Sequence, residues 1–284
     1  MPEGSYRFPL GSLWCTVLSD GYYAYPPAWF FPNAEAAELA QALEKRHLPQ
    51  EHILSPYTCL LIETGRHVVL ADTGAGPKAS TAGAMPARLE MAGIRPRDVD
   101  AVVITHAHPD HVGGVLDARG RPYFPNAAHY IAEREHEFWM QPHRNLDGMR
   151  LPGERKSSIE DCARRCLAPL RHQIEPVERE MEIVPGVRVL PAPGHTPGHM
   201  ALLLDSGGRQ LLNLGDAAVH PLHLEHPEWE NGFDLAPDRA AITRRALLER
   251  AASEGMHVMA FHFPFPSVGR VERRNGGWEW VPGL

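Results

Sequence analysis

The feature that most constrains this chain is a run of four potential metal ligands within six residues, His106-Ala107-His108-Pro109-Asp110-His111. The apolar, β-branched residues just before it, 100–105, predict a buried strand, and Pro109 and the following glycines predict a tight loop at its end. Imidazole nitrogen and carboxylate oxygen are ligands that Zn²⁺ and similar ions accept. Two histidines of this H-x-H-x-D-H motif can face one ion while Asp110 and the next histidine face a second. A His-rich surface turn is the alternative interpretation.

Two ions need more ligands, and three candidates follow predicted strands later in the chain: His195, Asp216 and His262. His195 lies in the glycine- and proline-rich segment 193–199. Asp216 comes after an apolar run, and His262 ends another. Because each follows a strand, we expect all three to lie on one common rim with the motif.

In their order along the chain, these motifs resemble those of the metallo-β-lactamase superfamily of metal-dependent hydrolases. The resemblance extends over nearly the whole sequence. It implies an α+β protein with an αββα sandwich, in which two mixed β-sheets pack face to face, helices cover the outside and a dinuclear metal site lies at one edge. It also implies one domain over residues 1–284.

The resemblance assigns the seven candidate ligands to two ions: His106, His108 and His195 to one, Asp110, His111 and His262 to the other, with Asp216 bridging them. Asp72 matches an early aspartate of the superfamily, which orients a ligating imidazole through its other nitrogen. A simple loop-capping aspartate is the alternative role for Asp72.

Two divalent ions, most simply Zn²⁺ with Fe, Co or Mn as alternatives, imply hydrolysis. Metal binding lowers the pKa of water from about 16 toward about 7, so a hydroxide that bridges the ions is a nucleophile at neutral pH. With Asp110 and Asp216 as its carboxylates, the site retains positive charge and favours an anion that develops during attack. These two aspartates are the predicted catalytic residues.

Departures from the superfamily pattern bear on the substrate. Asp216 stands where one main type of true β-lactamase carries cysteine, and segments 124–127, 193–199 and 261–266 most resemble quorum-quenching lactonases and methyl-parathion-hydrolase-like enzymes. Val219 stands where the best-known acyl-homoserine lactonases carry an assisting tyrosine, so Val219 and His220 are candidate substrate-binding residues. We expect cleavage of an ester or lactone. Phosphotriester hydrolysis is the alternative, and iron-dependent redox chemistry is a more distant one.

Residues 20–50 predict a lid or a dimerisation segment. Aromatic residues and prolines are concentrated over 22–31, and the prolines argue against a regular central strand there. Metal ions contribute little affinity for an apolar part of the substrate. Trp29, Phe30 and Phe31 are therefore predicted to form a substrate-binding wall. Core packing of these rings is the alternative. Asn33 is predicted to cap a helix over residues 34–46.

Composition restricts the classes of molecule that the chain is expected to bind. The 284-residue chain has a formal net charge of −7, so no basic field attracts nucleic acid. No apolar segment approaches a bilayer span, and the N-terminus lacks the pattern of a signal peptide. The four cysteines form no C-x-x-C pair, and Cys162 and Cys166 share a predicted helix face as reduced thiols. We expect a cytoplasmic homodimer that acts on a small molecule, with no membrane or nucleic-acid partner.

Periodicity predicts the other elements. Strands are predicted over 13–18, 57–61, 67–71, 129–132, 181–184, 187–190, 200–204 and 210–214. Helices are predicted over 84–92, 157–170 and 237–254, the last with proline in its first turn and Gly255 after its end. A polar surface connection is predicted over 141–156, and a closing hairpin through 275–277.

Overall fold

The computed structural model describes residues 4–77, 79–274 and 276–284, and these residues contain two seven-stranded mixed sheets. The strands of the first sheet lie side by side in chain order: β1 (Ser5–Leu10), β2 (Leu13–Tyr25), β3 (Ile53–Glu63), β4 (Val68–Ala71), β5 (Ala101–Val103), β6 (Ala128–Ala132) and β7 (Ile174–Val177). The pairings from β1 to β4 are antiparallel, and those from β4 to β7 are parallel.

The second sheet is also arranged in chain order: β8 (Met181–Val184), β9 (Val187–Pro191), β10 (Met200–Ser206), β11 (Arg209–Asn213), β12 (His257–Met259), β13 (Val268–Arg274) and β14 (Gly277–Pro282). Its pairings are antiparallel except that of β11 with β12, which is parallel. The predicted closing hairpin is the β13–β14 pair, although Asn275 in its turn lies outside the described residues.

Eight α-helices are found in the described part of the chain: α1 (Pro27–Phe30), α2 (Ala36–Lys45), α3 (Met85–Met91), α4 (Pro109–Val112), α5 (Glu133–Met140), α6 (Gly153–Leu167), α7 (Leu222–Glu225) and α8 (Pro237–Glu254). Helix α8 has the predicted bounds and ends at Gly255, whose φ of 64° is left-handed. Across residues 4–77, 79–274 and 276–284, no helix has both the length and the apolar character that a membrane span requires.

Alternating side chains explain the layers. In β3, Leu60 and Ile62 pack between the two sheets, whereas Cys59 and Leu61 pack under the helices on the first sheet. In β10, Leu202 points between the sheets and its neighbours point toward the layer that contains α8 residues. Because successive strand residues face opposite sides, each sheet buries both of its faces. The predicted αββα sandwich is confirmed.

The segment over residues 20–31 differs from the prediction. Strand β2 does not end at Gly21 but continues to Tyr25 after a register shift, and residues 22–25 pair with residues 53–56 of β3. The pairing is possible because the prolines follow Tyr25, so none of them removes an N–H donor from β2. Residues 27–30 then form α1.

Helix α2 begins later than predicted, and Asn33 does not cap it. Glu35 stands at the N-cap position. The Asn33 amide instead donates to the Glu228 carbonyl (3.1 Å) and accepts from the Glu230 N–H (2.8 Å). Asn33 therefore joins the 20–50 segment to a loop near residue 230.

Candidate metal centre

The candidate ligands meet at the carboxyl ends of strands. Strands β4 and β5 are parallel neighbours, and Asp72 and His106 follow them. In the other sheet β11 and β12 are parallel neighbours, and Asp216 and His262 follow them. The carboxyl ends of parallel neighbours lie at the same edge of a sheet, so the packed sheets bring these loops to one rim.

Seven side chains come together at this rim in two groups: His106, His108, His195 and Asp216 form one, and Asp110, His111 and His262 form the other. Within each group the donor atoms lie within 4.8 Å of one another. These are the two ligand sets that the resemblance implied. The one difference is that Asp216, which was expected to bridge the sets, is found in the first group.

Asp216 faces both groups. Its Oδ2 lies 3.4 Å from His195 Nε2 in the first group and 3.2 Å from His262 Nε2 in the second. His195 Nε2 also lies 2.9 Å from His108 Nδ1, so two imidazoles point their nitrogens at one place. This position is the one that a bridging carboxylate requires.

The donor set fits divalent metal ions. The Nε2 atom of His106 and the Oδ1 atom of Asp216 are buried and have no hydrogen-bond partner among the residues described. Buried polar atoms without partners are rare in folded proteins and need an explanation, which an ion provides here. Imidazole and carboxylate donors together suit zinc.

At three of the seven candidate ligands, the pKa shifts favour the protonation state that binds a metal. Burial lowers the pKa of His106 and His108 well below the usual histidine range, and neighbouring imidazoles lower it further. Burial by itself would raise the pKa of Asp216, but His111 and His262 face the carboxylate and hold that pKa well below its usual range. His106 and His108 are therefore neutral and Asp216 is ionised, which are the forms that bind a metal.

Asp72 orients the candidate ligand His111 through a hydrogen bond to its Nδ1 atom. Its Oδ2 accepts a hydrogen bond from His111 Nδ1 at 2.8 Å, and its Oδ1 accepts from the Thr105 N–H at 2.9 Å. Asp72 has a φ of 60°, a left-handed conformation that is uncommon for residues other than glycine. The contact to His111 is the one that its predicted orienting role needs.

Sequence reasoning missed the groups that hold His195 and His262. His195 Nδ1 donates to Asp234 Oδ1 at 2.8 Å. His262 Nδ1 lies 3.0 Å from the Pro56 carbonyl oxygen and 2.9 Å from the Ser55 hydroxyl. These partners lie 39 residues or more from the histidines in sequence, and no local motif marks them.

Glu135 is another buried group beside the site that the sequence did not reveal. Its buried carboxylate accepts the Ala107 N–H (3.0 Å) and the Gly198 N–H (3.0 Å), and it also accepts from the indole of Trp139 (2.7 Å). Glu135 therefore joins the H-x-H loop to the loop that carries His195. In sequence it lies in the polar run Glu-Arg-Glu-His-Glu, which looks like a solvated helix face.

A cavity adjoins the cluster, and its lining combines metal-ligand candidates with apolar side chains: Tyr25, Phe30, His108, Pro109, Asp110, Arg155, Ile159, Asp216, Val219, Asn231, Phe233 and His262. Two predicted substrate-binding residues, Phe30 and Val219, are among them. The structure places the other three elsewhere. Trp29 packs edge-on against Phe233 (6.2 Å between ring centroids), so it supports the wall from the side.

Phe31 and His220 lie in the core beside the cavity. Phe31 is 1% exposed and packs against the rings of His223 and Trp229. His220 Nδ1 accepts the Leu222 N–H at 3.2 Å, which directs its ring into the start of α7. Tyr25, within the aromatic stretch 22–31, also lines the cavity, and Phe233 adds an apolar side chain that the sequence did not indicate.

The family model described as the metallo-beta-lactamase superfamily matches residues 53–256. The chain belongs to the metallo-β-lactamase superfamily. Among curated superfamily relatives, it is 27% identical to the N-acyl homoserine lactonase of Bacillus thuringiensis over 249 residues, which cover 80% of this chain and 88% of that protein. It is 28% identical to a probable metallo-hydrolase of Mycobacterium tuberculosis, over 57% of this chain and 56% of that one.

Solved structures of superfamily members give the same result. AidC, a dizinc quorum-quenching lactonase in complex with an N-acyl-homoserine product, superposes with a TM-score of 0.94 at 28% identity and covers 99% of this chain and 98% of its own. The hydrolase AbOPH superposes with a TM-score of 0.90 at 27% identity, over 100% of this chain and 99% of its own. The predicted superfamily and its fold are confirmed.

Proposed function

We propose that this chain is a dizinc hydrolase that opens the ring of N-acyl homoserine lactones. One observation carries the proposal: four of the seven clustered donor residues line a cavity whose remaining lining is mostly apolar. A lactone with an acyl chain needs both features. The likeness to AidC over nearly the whole chain, and the identity to a Bacillus lactonase, support the same substrate class.

In this proposal, His106, His108 and His195 hold one zinc ion, and Asp110, His111 and His262 hold the other. Asp216 serves both because one of its oxygens faces both groups. When bound, the ions lower the pKa of water toward about 7 and polarise a carbonyl. Asp72, Asp234 and Glu135 keep the ligands in place by hydrogen bonds to imidazoles and ligand loops.

The rest of the cavity positions the substrate. Tyr25, Phe30 and Phe233 present rings, and Ile159 and Val219 present aliphatic groups, so the acyl chain is bound by exclusion from water. Val219 offers no hydrogen-bond donor, and assistance to the leaving alkoxide from that position is absent. A lactone, whose ester bond lies within a strained ring, suits a site without such a donor.

We further propose a single domain that works as a cytoplasmic homodimer. All four cysteines are buried free thiols, which supports a reducing compartment. Tyr22, within the 20–50 segment, and Leu54, in the part of β3 that pairs with that segment, are 48% and 56% exposed, which supports an association surface or a lid there. Sedimentation equilibrium of the wild type and of a Tyr22→Ser/Leu54→Ser variant tests the dimer. A wild-type mass of one chain contradicts it.

An assay panel tests the activity directly. Zinc-reconstituted protein is assayed with N-acyl homoserine lactones, aryl esters and phosphotriesters of comparable apolar size. We expect kcat/KM to be highest for the lactones and to fall on zinc removal, with recovery on zinc addition. A higher kcat/KM for phosphotriesters would replace the proposed substrate class with the alternative one.

A further inference from the structure

Arg155 occupies a special position in the cavity. It lies in the first turn of α6, and among the described lining residues it is the only arginine or lysine. It also lines a larger open groove, which shares Pro109 and Asp110 with the cavity. The guanidinium therefore lies where the cavity opens toward solvent, beside one wall of the candidate metal centre.

Aromatic rings hold the Arg155 side chain. Its guanidinium carbon lies 5.8 Å from the ring centre of Tyr23 and 5.9 Å from that of Tyr25, which is within the range of cation–π attraction. One terminal nitrogen lies 3.4 Å from the Tyr25 hydroxyl, which in turn lies 2.6 Å from the hydroxyl of Tyr57. The planar group is thus oriented before any ligand binds.

Arg155 has a hydrogen-bond donor that is not used within the described part of the protein. Its Nε is buried without a hydrogen-bond partner among the residues described. The nearby Arg144 and Arg150 form ion pairs with Glu160 and Glu230, whereas the described part of the chain contains no such pair for Arg155. A partly buried guanidinium with unused donors is costly, and an acceptor oxygen on a ligand would satisfy it.

We infer that Arg155 binds the amide carbonyl oxygen of the acyl chain and so selects lactones that carry an amide. This inference rests on the proposed lactone hydrolysis. The reacting ring carbonyl must lie against the metal ligands, and the acyl group then extends along the apolar wall toward the cavity mouth, where Arg155 lies. A site built to hydrogen-bond a substrate group discriminates against analogues that lack the group, because its own polar atoms are then left unpaired.

Kinetics on two matched lactones test the inference: N-hexanoyl-homoserine lactone, and a γ-alkyl butyrolactone of similar length without an amide. For Arg155→Met we expect KM to rise roughly 10- to 100-fold for the amide lactone, the loss typical of a hydrogen bond to a charged group. For the alkyl lactone we expect KM within about threefold of wild type. Arg165→Met is the matched control, since Arg165 lies on the same helix and lines the groove but not the cavity.

A binding measurement separates the amide from the carboxylate that ring opening creates. Calorimetry compares N-hexanoyl-homoserine with a 4-hydroxyalkanoate, which has the carboxylate but no amide. We expect Arg155→Met to weaken only the first ligand, and Arg155→Lys, which keeps the charge, to weaken it less. Zinc content and thermal stability of each variant confirm that the protein is intact.

Equal losses for both ligands would assign Arg155 to the carboxylate and overturn the inference, as would unchanged KM values for both lactones. If Arg155→Met does not fold, the Arg155→Lys ratio between the two lactones decides in the same way. Failure of the proposed function looks different. In that case the wild-type enzyme opens neither lactone, and the inference falls with the activity on which it rests.

Discussion

The carboxylate of Asp234 lies 3.7 Å from the buried guanidinium of Arg244. Arg244 is itself fixed by donating to the carbonyl oxygens of Ala217 and Trp229, each at 2.7 Å. Asp234 therefore lies between Arg244 and Nδ1 of His195, and it sets the direction in which Nε2 of His195 points. We predict that Asp234→Asn weakens zinc affinity about 10- to 100-fold, as is typical when a partner of a ligating histidine is lost.

Competition with a chromophoric chelator measures this affinity. Asp238→Asn is a suitable control, because Asp238 is an exposed aspartate in the first turn of α8, four residues after Asp234. The account of Asp234 is wrong if both variants bind zinc as the wild type does.

Phe30 and Phe31 are adjacent, but only Phe30 lines the cavity. Burial of one ring contributes about 1.5–3 kcal/mol, so Phe30→Ala is predicted to raise KM roughly 10- to 100-fold for long acyl chains and less for short ones. Phe31→Ala removes a core ring and is predicted to cost about 3–5 kcal/mol of unfolding free energy without changing the chain-length preference. Steady-state kinetics and urea unfolding of both variants provide the comparison. An altered chain-length preference in Phe31→Ala alone would reverse these assignments.

Val219 is 2% exposed and lines the cavity next to Asp216. Because its side chain cannot donate a hydrogen bond, Val219→Ala is predicted to keep kcat on activated esters within about tenfold, in contrast to the 10²-fold or larger loss when a catalytic donor is removed. Val219→Tyr is predicted to raise lactonase activity by adding a donor. Loss of turnover in Val219→Ala, with zinc content and fold intact, would show that this position does more than pack.

His129 in β6 is predicted to account for part of the folding stability that the protein loses at acid pH. Burial lowers its pKa from 6.5 to about 4, so the folded state takes up a proton less readily than the unfolded state. The resulting stability is present above about pH 6.5 and is lost as the pH falls toward 4. Between pH 7 and pH 4.5, His129→Leu is predicted to lose about 2–3 kcal/mol less unfolding free energy than the wild type.

Urea unfolding at the two pH values tests the role of His129, with His143→Gln as an exposed control. Acid release of zinc affects each protein alike and cancels in the comparison. Equal acid losses in wild type and His129→Leu would remove His129 as a source of the sensitivity.

The ligand cluster was predictable because its members lie in the segments that come after strands, and strand ends converge through the packing of two sheets. The residues that hold the candidate ligands in place could not be predicted in this way. Asp234 and Glu135 act through folding contacts between distant segments, and neither stands in a pattern that local sequence marks. The strand end at Tyr22–Tyr25 was missed for a simpler reason: residues 26 and 27 are prolines, but they come after Tyr25, the last paired residue of β2, and so do not interrupt it.

The substrate wall shows the same limit. Aromatic composition indicated that residues near 30 contribute rings, and Phe30 does line the cavity. Which of three consecutive aromatic residues faces inward depends on the rotation of the short helix α1, which composition does not determine. Phe233 enters from a loop some 200 residues away in sequence, as part of the region that also carries Asp234.

The central claim is that seven side chains hold two zinc ions with Asp216 between them. Elemental analysis of zinc-reconstituted protein, after removal of loosely bound metal, measures this directly in the wild type and in Asp216→Ala. We predict close to two zinc ions per chain for the wild type and close to one, or fewer, for Asp216→Ala, because that carboxylate faces both groups. A wild-type value near one ion per chain that Asp216→Ala leaves unchanged would contradict the account.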